Sequence, residues 1–140
     1  MTRRFSLAGL VRVRGIQEQA AAQRLSRAVI AADQTASRDR HLRAALAGAG
    51  SEAVDVRSLA ALAAARVAGR ALLADLESLS ELQQSAVDEA RAEHGEARRE
   101  VRGLDRLAQA HAVRVRADDL RAEQVELDEI GSRVRQEESS

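Results

Sequence analysis

Apolar and small residues recur in the first third of the chain at alternating steps of three and four. A spacing that averages 3.5 residues is the signature of a helix that packs along another helix in a coiled coil. The pattern predicts a first helix over about residues 6–46. Its frame positions are Leu7, Val11, Arg14, Glu18, Ala21, Leu25, Ala28, Ala32, Thr35, Asp39, Leu42 and Leu46.

A similar frame runs through the second half of the chain and predicts a helix over about residues 56–135. Between the two patterns lies Ala47-Gly48-Ala49-Gly50-Ser51, and two closely spaced glycines are a strong signal for a helix end. Ser51 or Asp55 can cap the next helix. The frame positions of the second helix are Leu62, Leu73, Leu76, Val87, Ala90, Ala97, Val101, Leu104, Ala108, Val115, Ala122 and Val125.

The short turn at 47–55 makes the two helices antiparallel neighbours. We therefore predict an all-α fold, an antiparallel coiled-coil hairpin whose second helix is the longer, as a single domain over residues 1–140. The expected seam between the helices consists of Leu7, Val11, Ala21, Leu25, Ala28, Leu42, Leu73, Leu76 and Val87.

The seam is imperfect in sequence. Leu79 and Leu82 fall one residue outside the frame, and four glycines, at 69, 95, 103 and 131, interrupt the second helix. We interpret these glycines as tolerated substitutions, with local softness at Gly95 as the alternative. Polar residues take several frame positions, namely Arg14, Glu18, Asp39, Gln83, His94, His111 and Asp118.

The second helix is expected to be longer than the first and to extend beyond it. A hairpin of these lengths pairs the first helix back only to about residues 96–101, which leaves 102–135 without a partner in the chain. That stretch has an apolar stripe, which predicts that another protein or a second copy covers it. The stripe contains Leu104, Leu107, Val115, Leu120, Val125, Leu127 and Ile130.

The amino-acid composition argues against several classes of function. The chain has no proline, a single aromatic residue (Phe5), no cysteine, and 22 basic against 22 acidic residues, so its formal charge is zero. A nucleic-acid binder would more often show a basic surplus, and the absence of cysteine excludes disulfides and thiolate metal sites. We expect neither a nucleic-acid partner nor a small-molecule substrate.

The sequence favours a cytoplasmic protein. No apolar run approaches the ~20 residues that span a bilayer, and Val11-Arg12-Val13-Arg14 interrupts the apolar start too early for a signal peptide. Peripheral association with the inner face of the cell membrane, through an amphipathic N-terminal segment, is the alternative.

No constellation in the sequence predicts catalysis. His41, His94 and His111 lack the spacing that places two imidazoles and a base on one helix face. Acidic pairs such as Asp118-Asp119 are adjacent residues, which do not face each other on a helix. We therefore expect no enzyme activity, no metal and no cofactor.

Two blocks of residues carry a resemblance to a known family. The first comprises Phe5-Ser6-Leu7, Leu10 to Arg14, Gln17-Glu18, Ala20-Ala21-Ala22, Leu25 and Ala28. The second comprises Glu100-Val101-Arg102-Gly103-Leu104-Asp105-Arg106-Leu107, then Glu123-Gln124, Glu126-Leu127-Asp128-Glu129-Ile130. In order, spacing and total length these blocks resemble the flagellar FliJ family, while residues 30–95 match it only as generic helix.

The resemblance implies a stalk-like two-helix coiled coil of the flagellar type III export apparatus. FliJ proteins promote assembly of the export ATPase FliI into its ring, engage the export gate protein FlhA, and escort export chaperones. It implies that the second helix contacts the ATPase through Leu104, Leu107, Glu123, Leu127, Asp128 and Glu129. The alternative is a self-assembling structural coiled-coil scaffold protein, in which residues 102–135 pair with their copy in another subunit.

Overall fold

The computed structural model describes residues 7–49 and 55–140, which form two helices. Helix α1 is Ala8–Gly48, with 41 residues, and helix α2 is Val56–Glu138, with 83 residues. The two helices pack against each other, and the described part of the chain contains no strand. The prediction of an all-α chain built from two packed helices is confirmed.

The helix ends lie close to the positions that the glycines and caps indicate. α1 runs two residues past the expected end at Leu46, because the N–H of Ala49 still donates to the carbonyl of Ala45 at 2.9 Å. α2 begins at Val56 and continues three residues beyond Arg135. The middle of the expected turn, residues 50–54, lies outside the described residues, and so does the candidate cap Ser51.

Asp55 caps the N-terminus of α2. Its Oδ1 accepts the backbone N–H and the hydroxyl of Ser58, each at 2.7 Å, and its carbonyl accepts the N–H of Leu59 at 3.0 Å. An aspartate in this position satisfies a backbone donor that the first turn of a helix leaves unpaired. The hydrogen bond from the Ser58 backbone, followed by that from its hydroxyl, lowers the pKa of Asp55 below its ordinary 3.8.

The described residues divide into two compact units, residues 18–97 and residues 7–17 with 98–140. The unit 18–97 contains the residues that are buried in the described structure: Ala21, Thr35, Gly69, Val87 and Ala90. Each α1 frame position from Glu18 to Leu46 is buried or half-buried, whereas Leu82, one residue off the α2 frame, is 70% exposed. The core of this unit is a narrow strip of small side chains.

One glycine has a packing role in this strip. A Cβ built at Gly69 would overlap the end of the Leu46 side chain, so Leu46 occupies the space that a side chain at residue 69 would need. Gly69 therefore differs from a glycine at an open helix position, because the Leu46 side chain would have to move to admit a side chain there. At Gly103, by contrast, a Cβ would meet nothing within 4 Å.

Polar residues at the edges of the strip in unit 18–97 join the two helices. Nε2 of His94 lies 2.9 Å from Oε1 of Glu18, and both side chains are largely covered. Arg43 donates to Asp39 at 2.8 Å and to Glu77 across the helix pair at 3.0 Å. The hydrogen bonds to Asp39 and then to Glu77 raise the pKa of Arg43 above its ordinary value. Glu18 and His94, which look like seam defects in the sequence, form a contact between the two helices.

The unit of residues 7–17 and 98–140 has no buried residue among those described. Nη1 of Arg14 donates to Oε2 of Glu100 at 2.7 Å. On α2 the frame positions are half-buried as far as Val115, and every residue from 118 to 130 is exposed. The half-buried frame positions in this part of α2 are Val101, Leu104, Ala108, His111 and Val115.

Candidate partner-binding face

The predicted partner-binding residues lie in the C-terminal part of α2, but they do not form one site. Leu107 is 55% exposed and Leu127 is 62% exposed. Leu104 takes a half-buried frame position. From Leu104 to Leu127 is about 35 Å along a helix that rises 1.5 Å per residue. The acidic members, Glu123, Asp128 and Glu129, are exposed and lie near Leu127.

The stretch 118–130 presents large apolar side chains to solvent. Leu120, Val125, Leu127 and Ile130 are each between 50% and 62% exposed. Single exposed leucines are ordinary on protein surfaces, but a run of them along one segment marks an interaction surface. This stretch is therefore the strongest candidate for partner binding among the described residues.

Four of the exposed apolar residues follow one another at steps of seven. Val113, Leu120, Leu127 and Val134 are 68%, 60%, 62% and 49% exposed, and we call them the outer stripe. Seven residues make nearly two full turns, so the four side chains share one side of α2. Val115, two residues after Val113, points about 200° away from it around the helix. The outer stripe thus lies opposite the half-buried frame positions.

Sequence reasoning found half of this stripe. It included Leu120 and Leu127 among the uncovered apolar residues but missed Val113 and Val134. The signal was present: counting in steps of seven from Leu120 reaches Val113 and Val134 directly. The three-four frame of the seam obscured it, because the two patterns overlap between residues 113 and 134.

Asp128 and Glu129 share a shallow depression with apolar surface. The depression has a volume of about 440 Å³ and is lined by Val125, Asp128, Glu129, Ser132 and Arg133. Oδ1 of Asp128 accepts the amide N–H of Gln124 at 3.1 Å, and its carbonyl accepts the hydroxyl of Ser132 at 2.9 Å. The contact with Gln124 holds the Asp128 carboxylate along the helix surface, in the depression that Val125 also lines.

A charged depression of unit 18–97 lies between the helices. It is lined by residues that include Thr35, Asp39, Arg43, Leu76 and Glu77. Its central cation, Arg43, is engaged by both carboxylates. Because Arg43 pairs with Asp39 on its own helix and with Glu77 on the facing helix, these charges join the two helices.

Among the described residues, no group of three or more His, Cys, Asp or Glu side chains is arranged to hold a metal ion. Neither described helix contains a stretch that is apolar and long enough to cross a bilayer.

Comparisons with family models, with curated proteins and with solved structures gave no match.

Proposed function

We propose that this chain is a non-enzymatic coupling protein of the flagellar type III export apparatus. In this proposal it is an antiparallel coiled coil whose longer second helix offers its C-terminal part to the export ATPase. It would promote assembly of a FliI-like ATPase ring and link the ring to a FlhA-like gate and to export chaperones. Such a protein works in the cytoplasm, peripherally at the inner face of the cell membrane.

The order of the cross-helix contacts supports the antiparallel arrangement. In unit 18–97, Glu18 contacts His94, Arg43 contacts Glu77, and Leu46 lies over Gly69. The α2 partner therefore comes earlier in sequence as the α1 residue comes later. Half-burial at alternating steps of three and four along α1 supports the coiled-coil packing.

The exposed stretch 118–130 is the observation that carries the functional proposal. The half-buried frame of α2 stops at Val115, whereas large apolar side chains continue through Leu120, Leu127 and Ile130. At about 25 cal/mol per Å² of apolar surface, covering these side chains would stabilise a complex substantially. A stalk helix that enters or touches a ring of ATPase subunits needs such a surface.

The resemblance supplies the class of partner. The residues that resemble the C-terminal signature of the FliJ family, from Glu123 to Ile130, coincide with the exposed stretch. A family signature on surface residues is typical of binding, since positions that serve only the fold would be covered. This coincidence supports a FliI-like ATPase as the partner of the stretch.

The proposal is tested by stimulation of the export ATPase from the same organism with the full-length chain. Leu127→Asp should abolish stimulation while the circular-dichroism spectrum stays that of the wild type. Leu82→Asp is the matched control: it makes the same change at a side chain that is 70% exposed on the same helix. It should stimulate like the wild type.

Leu104→Asp gives a useful comparison. Because Leu104 is half-buried at a frame position, we expect this change to lower stimulation and, to a smaller extent, thermal stability. The proposal fails if the wild-type chain neither binds nor stimulates the ATPase, or if Leu82→Asp and Leu127→Asp lose stimulation equally.

A further inference from the structure

In the C-terminal part of α2, a mainly basic segment is followed by a mainly acidic one. Residues 98–116 contain six arginines and two carboxylates, whereas residues 117–138 contain eight carboxylates and three arginines. Two such segments side by side in the same direction would place like charges together. In opposite directions, the basic half of each lies along the acidic half of the other.

The outer stripe has the spacing of a second coiled-coil seam. Small residues accompany it, also at steps of seven: Gly103, Ala110, Ala117 and Gly131, with Gln124 between the last two. Together the two columns alternate by three and four from Val113 to Val134, as in a coiled coil. Gly103 and Ala110 of this side are open to solvent, because a Cβ at Gly103 would meet nothing within 4 Å and Ala110 is exposed, while Ala117 and Gly131 are half-buried.

We propose that the outer stripe binds a second copy of this chain in antiparallel orientation, with the two-fold axis between residues 118 and 119. A two-fold axis makes the interface self-complementary, so each contact occurs twice. The second copy is selected by charge complementarity. When the two segments run in opposite directions, the basic half of each lies along the acidic half of the other.

This register sets large side chains against small ones. Leu120 faces Ala117 of the second copy, Leu127 faces Ala110, and Val134 faces Gly103. A large residue opposite a small one lets two helices approach closely and interlock. The fourth residue of the outer stripe, Val113, faces Gln124. A register shifted by one heptad, with the axis at residue 122, would set the larger Leu120 against Gln124 instead.

The flanking charges favour the same register. Arg116 lies beside Glu123 of the second copy, and Arg102 lies beside Glu137, while Arg114 and Arg121 form one repulsive pair. In a parallel pair the flanking contacts would be Arg116 with Arg121 and Glu123 with Asp128, both repulsive. Flanking charges of this kind choose partner and orientation in coiled coils.

This inference does not depend on the proposed function, because a scaffold protein could pair in the same way. In a coupling protein, the ATPase and the second copy would compete for Leu127. Self-pairing would then keep the apolar stripe covered until the partner displaces it. Failure of self-pairing leaves ATPase binding untouched, and failure of ATPase binding leaves self-pairing untouched.

Spin labels on the full-length chain test the orientation. The chain has no cysteine, so a single introduced cysteine carries the only label. Asp119→Cys and Arg133→Cys lie on one side of α2, fourteen residues apart. In the antiparallel dimer, electron-electron distances should be under ~20 Å for labels at 119 and about 45 Å for labels at 133.

A short distance at both positions would indicate a parallel dimer and overturn the proposal. Sedimentation as a monomer at high micromolar concentration and low salt would also overturn it.

Reversing one charge beside the outer stripe tests the register of the dimer. Glu123→Arg should raise the dimer dissociation constant about tenfold or more, because it sets arginine against Arg116 of the second copy.

The double variant Arg116→Glu with Glu123→Arg is the matched control, since it exchanges the two charges and restores an attractive pair. It should return the dissociation constant to within about threefold of the wild type. Circular dichroism checks that both variants remain helical. A double variant as weak as Glu123→Arg alone would exclude this register.

Discussion

Leu46 occupies the space that a side chain at Gly69 would need. A Cβ at residue 69 would overlap both δ-carbons of Leu46, and Gly69 is buried beneath them. Leu46 is the last frame position of α1, and Gly69 lies in the first part of α2. Glycine at this position lets a large side chain reach the facing helix backbone where alanine would hold it away.

Gly69→Ala should therefore fail to stabilise the protein. In an open helix position, alanine in place of glycine stabilises by about 1 kcal/mol. At residue 69 the overlap with Leu46 should cancel that gain and leave the protein up to ~2 kcal/mol less stable. Gly15→Ala is the control, because a Cβ there meets nothing within 4 Å. Urea denaturation measures both, and an equal stabilisation at the two positions would contradict the close packing.

Gln83 is a weak point in the strip of unit 18–97. Its side chain is half-buried, and its Oε1 is buried without a hydrogen-bond partner. Since an unsatisfied buried acceptor costs ~1 kcal/mol or more, Gln83→Leu should stabilise the chain by about 1 kcal/mol in thermal denaturation. Gln84→Leu, at a neighbouring exposed residue that donates to Asp88, should not stabilise it. The reverse order of the two variants would show that Gln83 is satisfied in solution.

The hydrogen bonds at the Asp55 cap should make the stability of the folded chain depend on pH. Its pKa is lowered in the folded chain by the hydrogen bonds from Ser58, so the folded state prefers the carboxylate. The stabilisation is complete above the ordinary pKa of 3.8 and is lost as the pH falls through the lower folded value. Asp55→Asn keeps an acceptor without a charge.

The difference in unfolding free energy between wild type and Asp55→Asn should favour the wild type at pH 7. It should shrink as the pH falls below the ordinary pKa of 3.8 and through the lower folded value. Subtracting the variant removes the contribution of the other carboxylates, which titrate in both proteins. A difference that stays constant across this range would mean that the Ser58 contacts do not form in solution.

The two long helices could be predicted from the sequence because their cause is local. The three-four spacing of α1, the absence of proline and the glycines at 48 and 50 act over a few residues each. Asp55 was one of two possible caps, the other being Ser51. The two candidates lie about one helical turn apart, so the choice between them depends on the residue at which the helix begins. Competing signals in the same short segment leave such a choice open.

The contacts between the helices could not be predicted in the same way. Glu18 and His94 looked like separate defects, because their meeting depends on the register across the turn, which neither helix encodes alone. Gly69 looked like a tolerated glycine for the same reason: its role exists only when Leu46 lies opposite. The uncovered stretch was predicted from residue 102, whereas half-burial continues to Ala117.

The central claim is that the exposed stretch around Leu127 touches the export ATPase. A photo-crosslinking amino acid placed at residue 127 of the full-length chain, in cells that carry the export apparatus, tests this contact most directly. The account predicts a covalent product with the ATPase from residue 127 and none from residue 82, which is also exposed on α2. A product from neither position, or from residue 82 alone, would contradict it.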